Sequence, residues 1–219
     1  MTEPFRYDGP APVVGAVGPS SLPPALFSPT GPSAAAVPER APARPGELSA
    51  TAEAAVRGYL RRRPHATVVA LGEGLGTGFG RLDNGRLTWL SVLPTADAAA
   101  RRMVLPDGPR RRTVARTGPG ADWPALVGPV ERGVVVAVAG APAGTLRELL
   151  GVCAAHFPGG ALVVDALPWW AAALALPARL HPGVAAVHTR PLAAGDSPGG
   201  RSGPRPVVCA VRFAARGAR

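Results

Sequence analysis

Short apolar segments alternate with helical segments over most of residues 50–213, and this alternation constrains the fold more than any other feature. Strands are predicted at Thr67–Leu71, Leu87–Val92, Arg112–Ala115, Gly133–Ala139 and Ala161–Ala166. Helices are predicted between them, around residues 49–60, at Thr95–Val104, at Trp123–Val127 and from Pro142 onward. Continuously apolar strands separated by helices are typical of a parallel sheet covered on both faces. The sequence therefore predicts an α/β fold with a mainly parallel sheet.

The two ends of the chain differ from this central pattern. Residues 1–46 are rich in Pro, Ala, Gly and Ser and lack periodicity, so we expect a disordered or extended tail. Residues 47–219 form the predicted domain. Near its end, a helix around Trp170–Leu176 precedes two strands, Val184–Thr189 and Val207–Phe213, which we expect to pair as an antiparallel hairpin.

The formal net charge is +10, yet all 24 basic residues are Arg, and Lys is absent. Ile and Gln are absent too, so a GC-rich coding bias explains the Arg content without selection for phosphate binding. Basic clusters occur at Arg61–Arg63, Arg101–Arg102 and Arg110–Arg112. We interpret them as solvated helix ends and loops. An Arg-rich nucleic-acid-binding protein stays open as the less favoured alternative.

Cysteine spacing and hydropathy narrow the class of protein further. Cys153 and Cys209 lie far apart and without metal-ligand spacing, which predicts two buried thiols, no disulfide framework and no metal site. The most apolar stretch, Ala161–Leu180, contains Asp165 and two prolines, so we expect a strand and a helix there and no membrane span. No signal-peptide pattern is present near the first residues. We expect a cytoplasmic protein, and the sequence leaves its oligomeric state open.

A glycine-rich run, Gly72 to Gly78, follows the first predicted strand. In open parallel sheets, ligands bind at the carboxyl ends of the strands. Glycine lets the backbone approach a ligand closely because there is no side chain to collide with it. Spacing alone leaves a plain structural turn and a nucleotide site equally open.

The string VVALGEGLGTGFGRLDNGRLTWLSVLP, from Val68 to Pro94, resembles the leucine carboxyl methyltransferase and polyketide O-methyltransferase family. That family's pattern is a strand, G-x-G-L-D-T-R, then R-L, and a strand ending in W-x-(D/E)-V-D-x-P. The resemblance continues at Gly133–Gly140, at Phe157–Asp165 and in the closing hairpin. It implies a Rossmann-like class I methyltransferase fold that binds S-adenosylmethionine (SAM). The implied cofactor-binding residues are Gly72, Glu73, Gly74, Leu75, Ser91, Ala139 and Gly140.

The chain departs from the family pattern at several cofactor positions. Gly76 stands for the family Asp and Gly78 for the family Arg, while Ser91 stands where an acidic residue would hold the ribose hydroxyls. Ala139 replaces the Glu that follows strand 4. A single Ser cannot reproduce the two hydrogen bonds that a carboxylate accepts from the ribose. Glu73 and Asp97 are the candidate substitutes.

Three functions stay open at this point. The first is a SAM-dependent O-methyltransferase that acts on a carboxylate or hydroxyl of a small molecule. The second is a degenerate relative that serves as a binding or scaffold protein, and the third is the nucleic-acid binder. No catalytic residue is assigned; His181 is the favoured base among the histidines. Trp169 and Trp170 could line an acceptor pocket, although core packing is the commoner use of such a pair.

Overall fold

The computed structural model describes residues 46–116, 122–139, 143–170, 181–192 and 206–215. These residues belong to one compact unit, Glu39–Arg219. The predicted tail, apart from Gly46, lies outside the described residues, and so does most of the predicted helix around Trp170–Leu176.

The described residues form a seven-stranded sheet with helices on both faces. In chain order the elements are α1 (Ala50–Arg62), β1 (Thr67–Leu71), α2 (Gly78–Leu82), β2 (Thr88–Pro94), α3 (Thr95–Val104), β3 (Arg111–Arg116), β4 (Val134–Ala139), α4 (Ala143–His156), β5 (Ala161–Leu167), β6 (Val184–Pro191) and β7 (Val207–Phe213). Two 3₁₀ helices, Trp123–Leu126 and Val130–Arg132, precede β4.

The strand order is β3-β2-β1-β4-β5-β7-β6. Strands β1 to β5 run parallel, and β7 pairs antiparallel with both β5 and β6. The predicted fold class is confirmed: a mainly parallel α/β sheet that ends in an antiparallel hairpin. Among the residues that the structure describes, no helix combines the length and apolar character needed to cross a membrane.

The strands divide the interior into two apolar layers because successive side chains point to opposite faces. Val68 and Ala70 of β1 face the layer that contains Val56 and Leu60 of α1. Val69 faces the layer of α4, whose buried residues include Leu146, Leu149, Leu150 and Cys153. The spacing of these four residues is that of one apolar face of a helix.

Helix α1 begins at a buried polar contact. The Ser49 hydroxyl accepts a hydrogen bond from the backbone N–H of Ala52 at 3.1 Å, which is the expected N-cap geometry. The same hydroxyl donates to Asp165 Oδ1 at 2.8 Å, and the Ser49 N–H donates to Asp165 Oδ2 at 2.5 Å. Four turns of helix are thereby held against the carboxyl end of β5.

Two local details complete the comparison with the sequence. The short helix α2 was not predicted, because five residues that include two glycines give no helical period. Cys153 and Cys209 are free and buried as predicted, and burial raises the pKa of each thiol to about 12.

The pair Asp83–Arg110 ties the turn after α2 to the start of β3 and yields a prediction. Hydrogen bonds from Arg110 lower the pKa of Asp83 below its ordinary value of 3.8. A carboxyl whose pKa is depressed by folding contributes stability above its unfolded pKa, and this is lost as the pH falls through the folded pKa. We expect Asp83→Asn to unfold at a lower urea concentration than the wild type at about pH 7, with a smaller gap at about pH 3.

Asp122→Asn is the matched control, because Asp122 is exposed and has no ion pair with another described residue. Its small gap to the wild type should not depend on pH. An Asp83→Asn gap of constant size across the same pH range would contradict the assignment.

Candidate functional site

The glycine turn, defined here as Gly72–Leu75, leaves the carboxyl end of β1 between β2 and β4. Gly72 has φ +73° and Gly74 has φ +58°, a region that side chains disfavour. A Cβ atom at either position would meet no other atom within 4 Å. The Leu75 side chain is 56% exposed. The turn therefore presents bare backbone and one apolar side chain to open space.

The Glu73 side chain points from the same turn into the protein. Its Oε1 accepts a hydrogen bond from the Gly78 N–H at 3.0 Å. Its Oε2 accepts hydrogen bonds from Trp89 Nε1 and Ser91 Oγ of β2, each at 3.0 Å. Trp89 Nε1 also donates to Ser91 Oγ at 3.1 Å. Both carboxylate oxygens thus accept hydrogen bonds from interior donors.

Arg101 of α3 supplies the counter-charge and is 1% exposed. Its Nη2 lies 3.1 Å from Glu73 Oε2, and both terminal nitrogens donate to the Gly76 carbonyl at 3.2 Å. Nη1 also donates to the Gly74 carbonyl. The sequence predicted a solvated Arg101–Arg102 cluster. For Arg101 this is wrong, because its buried guanidinium donates hydrogen bonds to the carbonyls of Gly74 and Gly76.

Burial dominates the electrostatics of this pair. Burial raises the pKa of Glu73 and lowers the pKa of Arg101, because each charged form loses its hydration. Their mutual attraction and the hydrogen bonds from Trp89 and Ser91 offset part of that cost. The fold therefore tolerates this buried pair only while both partners are present, because removal of one leaves an uncompensated buried charge.

The two glycines that depart from the family pattern make room for this network. A Cβ at Gly76 would lie 2.7 Å from Glu73 Cγ and 3.3 Å from Glu73 Oε1. A Cβ at Gly78 would lie 2.8 Å from Glu73 Oε1 and 3.0 Å from two ring carbons of Trp89. The carboxylate missing at position 76 is thus replaced in space by the carboxylate of Glu73.

Among the described residues, the cavity that borders Glu73 is too small for a ligand. Segment 46–48, β1, β4 and Trp89 enclose a cavity of only about 10 Å³. That volume suffices for about one water molecule. A ligand of the turn would therefore lie on its outer face.

The other predicted site residues divide between the interior and the edge. Ser91 is fully buried and bonded to Glu73. Ala139 is half-buried at the end of β4, and Gly140 lies outside the described residues. Asp97, in the first turn of α3, is exposed and has no hydrogen bond or ion pair within the described part of the chain.

His181 and the pair Trp169 and Trp170 lie at opposite edges of the sheet. His181 precedes β6, whose first residue pairs with the last residue of β7, so it lies at the amino edge of β5 and away from the glycine turn. It cannot act as a base there, and the suggestion of His181 was wrong. Trp169 and Trp170 follow the carboxyl end of β5 and are 52% and 50% exposed, which places them at the edge where the turn lies.

Solved structures similar to this chain include three methyltransferases with TM-scores of 0.50–0.51. SibL, an S-adenosylmethionine-dependent methyltransferase in its apo form, is 16% identical over 76% of this chain and 55% of that chain, with a TM-score of 0.51. The O-methyltransferase TomG from Streptomyces achromogenes, in complex with SAM, is 13% identical over 77% and 82%, with a TM-score of 0.51. An O-methyltransferase from Bacillus cereus, in complex with SAH (S-adenosylhomocysteine), is 12% identical over 76% and 83%, with a TM-score of 0.50.

No family model and no curated protein matches the sequence. At such low identities the structural likeness establishes the fold, and the fold is that of the class I methyltransferases.

The inference that Glu73 replaces the carboxylate missing at position 76 can be tested by placing a carboxylate at that position. We expect Glu73→Ala to lower the free energy of unfolding by about 3–5 kcal/mol, because the buried Arg101 guanidinium loses its counter-charge. Adding Gly76→Asp to Glu73→Ala should recover at least about 1 kcal/mol, since the new carboxylate enters the volume that Glu73 vacates. Recovery should be incomplete, because a Cβ at position 76 lies 2.9 Å from the Glu73 carbonyl oxygen.

Urea unfolding of the wild type, both single variants and the double variant gives the coupling between the two positions. The control is Gly76→Asp with Glu73 retained, which should be destabilising because two carboxylates then compete for one volume. If Gly76→Asp destabilises the Glu73→Ala background as much as it does the wild type, the proposed exchange is excluded.

Proposed function

We propose that this chain is a SAM-dependent methyltransferase that transfers a methyl group to a carboxylate or hydroxyl of a small molecule. One observation carries the proposal: the glycine turn leaves the central strand of a β3-β2-β1-β4-β5-β7-β6 sheet with its backbone open. The carboxyl end of a central strand is where open α/β sheets bind ligands. The resemblance of the Val68–Pro94 string to the O-methyltransferase family supports the same function, as do the similar structures.

The residues of the turn fit the cofactor in part. Gly72 and Gly74 would take the cofactor against their backbone, since a Cβ there would fill the space that it needs. When bound, SAM would supply an electrophilic methyl group. Leu75 would offer apolar contact, and Ala139 would border the site from β4. The predicted ribose contacts of Glu73 and Ser91 are not supported, because both side chains are committed to the interior.

Asp97 is the carboxylate best placed to hold the ribose hydroxyls. It stands three residues after the end of β2 and has no competing partner among the described residues. Its side chain is also exposed, so it can accept hydrogen bonds without a rearrangement of the interior.

Methyl transfer from SAM requires little of the protein beyond the positioning of the two reactants. Holding two reactants in line is the main contribution to a displacement of this kind. A carboxylate acceptor is already ionised at neutral pH and needs no base, whereas a hydroxyl acceptor does. Trp169 and Trp170 are exposed apolar surfaces on the same edge and suit an acceptor with an aromatic or apolar body.

A second candidate function has a specific observation in its favour. Glu73 and Ser91, which the resemblance places at the cofactor, stabilise the interior instead. A relative that has lost catalysis and serves as a binding protein would show this exchange. Cofactor affinity separates the two functions.

Cofactor binding at the turn can be measured by isothermal titration with SAH. We expect a Kd tighter than about 100 μM for the wild type. Gly72→Ala should weaken it at least about tenfold, since a methyl group would enter the contact surface. Gly85→Ala is the matched control: Gly85 has φ +77° and open space around it, but lies in the turn before β2.

Both substitutions should cost about 1–2 kcal/mol of stability, since each forces a side chain into the left-handed region. Only Gly72→Ala should change the affinity. No heat of binding at millimolar SAH would reject the methyltransferase and favour the second candidate.

The role of Asp97 has its own test. Asp97→Asn should weaken SAH binding by about ten- to a hundredfold, because hydrogen bonds to a charged acceptor contribute about 1.5–3 kcal/mol. Glu148→Gln, on the exposed face of α4, removes the same charge on the other side of the sheet and should leave the Kd unchanged. Equal affinities for Asp97→Asn and the wild type would remove Asp97 from the site.

A further inference from the structure

A groove of about 300 Å³ lies between α1 and the two outer strands, β6 and β7. Within the described ranges, no helix covers the face of these strands that adjoins α1. The residues that line the groove do not include any residue of the glycine turn.

Small side chains on both walls create the groove. Along α1, Thr51, Ala54, Ala55 and Gly58 recur at helical spacing and form one face. Opposite them, Ala210 of β7 faces the same layer as α1. A small stripe facing small strand residues cannot close the gap between helix and sheet, so an apolar floor remains.

Four arginines and one histidine from three elements surround this floor. Arg61 and Arg62 come from the last turn of α1, His188 and Arg190 from β6, and Arg212 from β7. The β6–β7 register pairs His188 with Ala210 and Arg190 with Val208, so their side chains share the face of Arg212. Convergence on this face is therefore a consequence of strand pairing.

Among the described residues, the arginines of the groove have no counter-charge. No described Asp or Glu lines the groove. None of its four arginines forms an ion pair or a hydrogen bond with another described residue. The positive charges of Arg62 and Arg212 also reach the buried Tyr59 hydroxyl at the groove wall: burial raises its pKa, and these charges oppose the rise. A cleft lined by one sign of charge concentrates ligands of the opposite sign.

We propose that this groove binds a small phosphate monoester with an apolar body. Guanidinium groups match phosphate oxygens with paired hydrogen bonds, and cations approaching from three directions suit a dianion better than a single carboxylate. The floor of Ala and Val side chains from the strands accepts the apolar part. A volume of about 300 Å³ is at the small end of ligand pockets, which fits one compact molecule.

A strand of nucleic acid is the competing source of phosphate. Arg62 also borders a shallower depression with Arg63, His65 and Arg132, and a polyanion would contact both regions. A phosphate monoester would need the groove alone. The experiment therefore includes both kinds of ligand.

The test uses the full chain and isothermal titration with phenyl phosphate, inorganic phosphate and a single-stranded twelve-nucleotide DNA. Arg190→Gln with Arg212→Gln removes two groove charges. The matched control, Arg86→Gln with Arg147→Gln, removes two exposed charges elsewhere. Gly58→Leu fills the groove without changing charge; a Cβ there has only Arg61 Nη2 nearby, at 3.7 Å, and leucine favours a helix.

We expect phenyl phosphate to bind more tightly than inorganic phosphate, with the groove double variant weakening it at least about tenfold and the control double variant less than about twofold. Gly58→Leu should abolish binding while the protein stays folded, as its thermal unfolding will report. The proposal is overturned if phenyl phosphate does not bind at about 10 mM. It is equally overturned if both double variants weaken binding alike, or if only the DNA binds and does so with a steep salt dependence.

Discussion

The buried contact between Glu73 and Arg101 determines how the rest of this edge is built. A buried ion pair stabilises a fold only when its remaining donors and acceptors are satisfied, and loss of one partner leaves an uncompensated charge. Here most of them are satisfied: Trp89 and Ser91 donate to Glu73, and the terminal nitrogens of Arg101 donate to the Gly74 and Gly76 carbonyls, whereas Arg101 Nε has no hydrogen-bond partner among the described residues. Strand β2, helix α3 and the glycine turn are thereby joined at one point, and the conformation of the turn depends on that joint.

This arrangement explains the departures from the family pattern together. Gly76 and Gly78 lack side chains because Glu73 and Trp89 occupy their volume, and Ser91 is small and polar because it completes the hydrogen bonding of Glu73. These changes are structurally linked; they are not separate losses. The consequence for function is a turn whose backbone stays available while its polar side chains face inward, so that any ribose contact has to come from the rim.

Local pattern predicted the fold well and the site poorly. Strands β1 and β7 were predicted with the bounds that the structure has, and strands β2 to β6 to within two residues, because buried strands consist of runs of apolar residues such as Val134–Val138. Glu73 and Arg101 are 28 residues apart, and no periodicity links them; an Arg in a helix is normally exposed. Ser91 was placed at the edge because its position in the string matched an acidic residue, whereas the pleat of β2 turns it inward. His181 failed for a similar reason, since only the sheet topology shows at which edge a residue lies.

Helix α1 belongs to the structure around both the glycine turn and the proposed groove, and neither surface depends on the other. Its start is fixed by Ser49 and Asp165, and its inner face by the contact of Glu53 with Arg81. Because these buried contacts position the helix independently of its solvent face, the small stripe and the arginines of its last turn are held in place before any ligand arrives. A preformed groove avoids the cost of ordering that flexible sites incur on binding. The uncompensated charges there are tolerated because the sheet core and the buried caps supply the stability, which leaves that flank of α1 free to serve recognition.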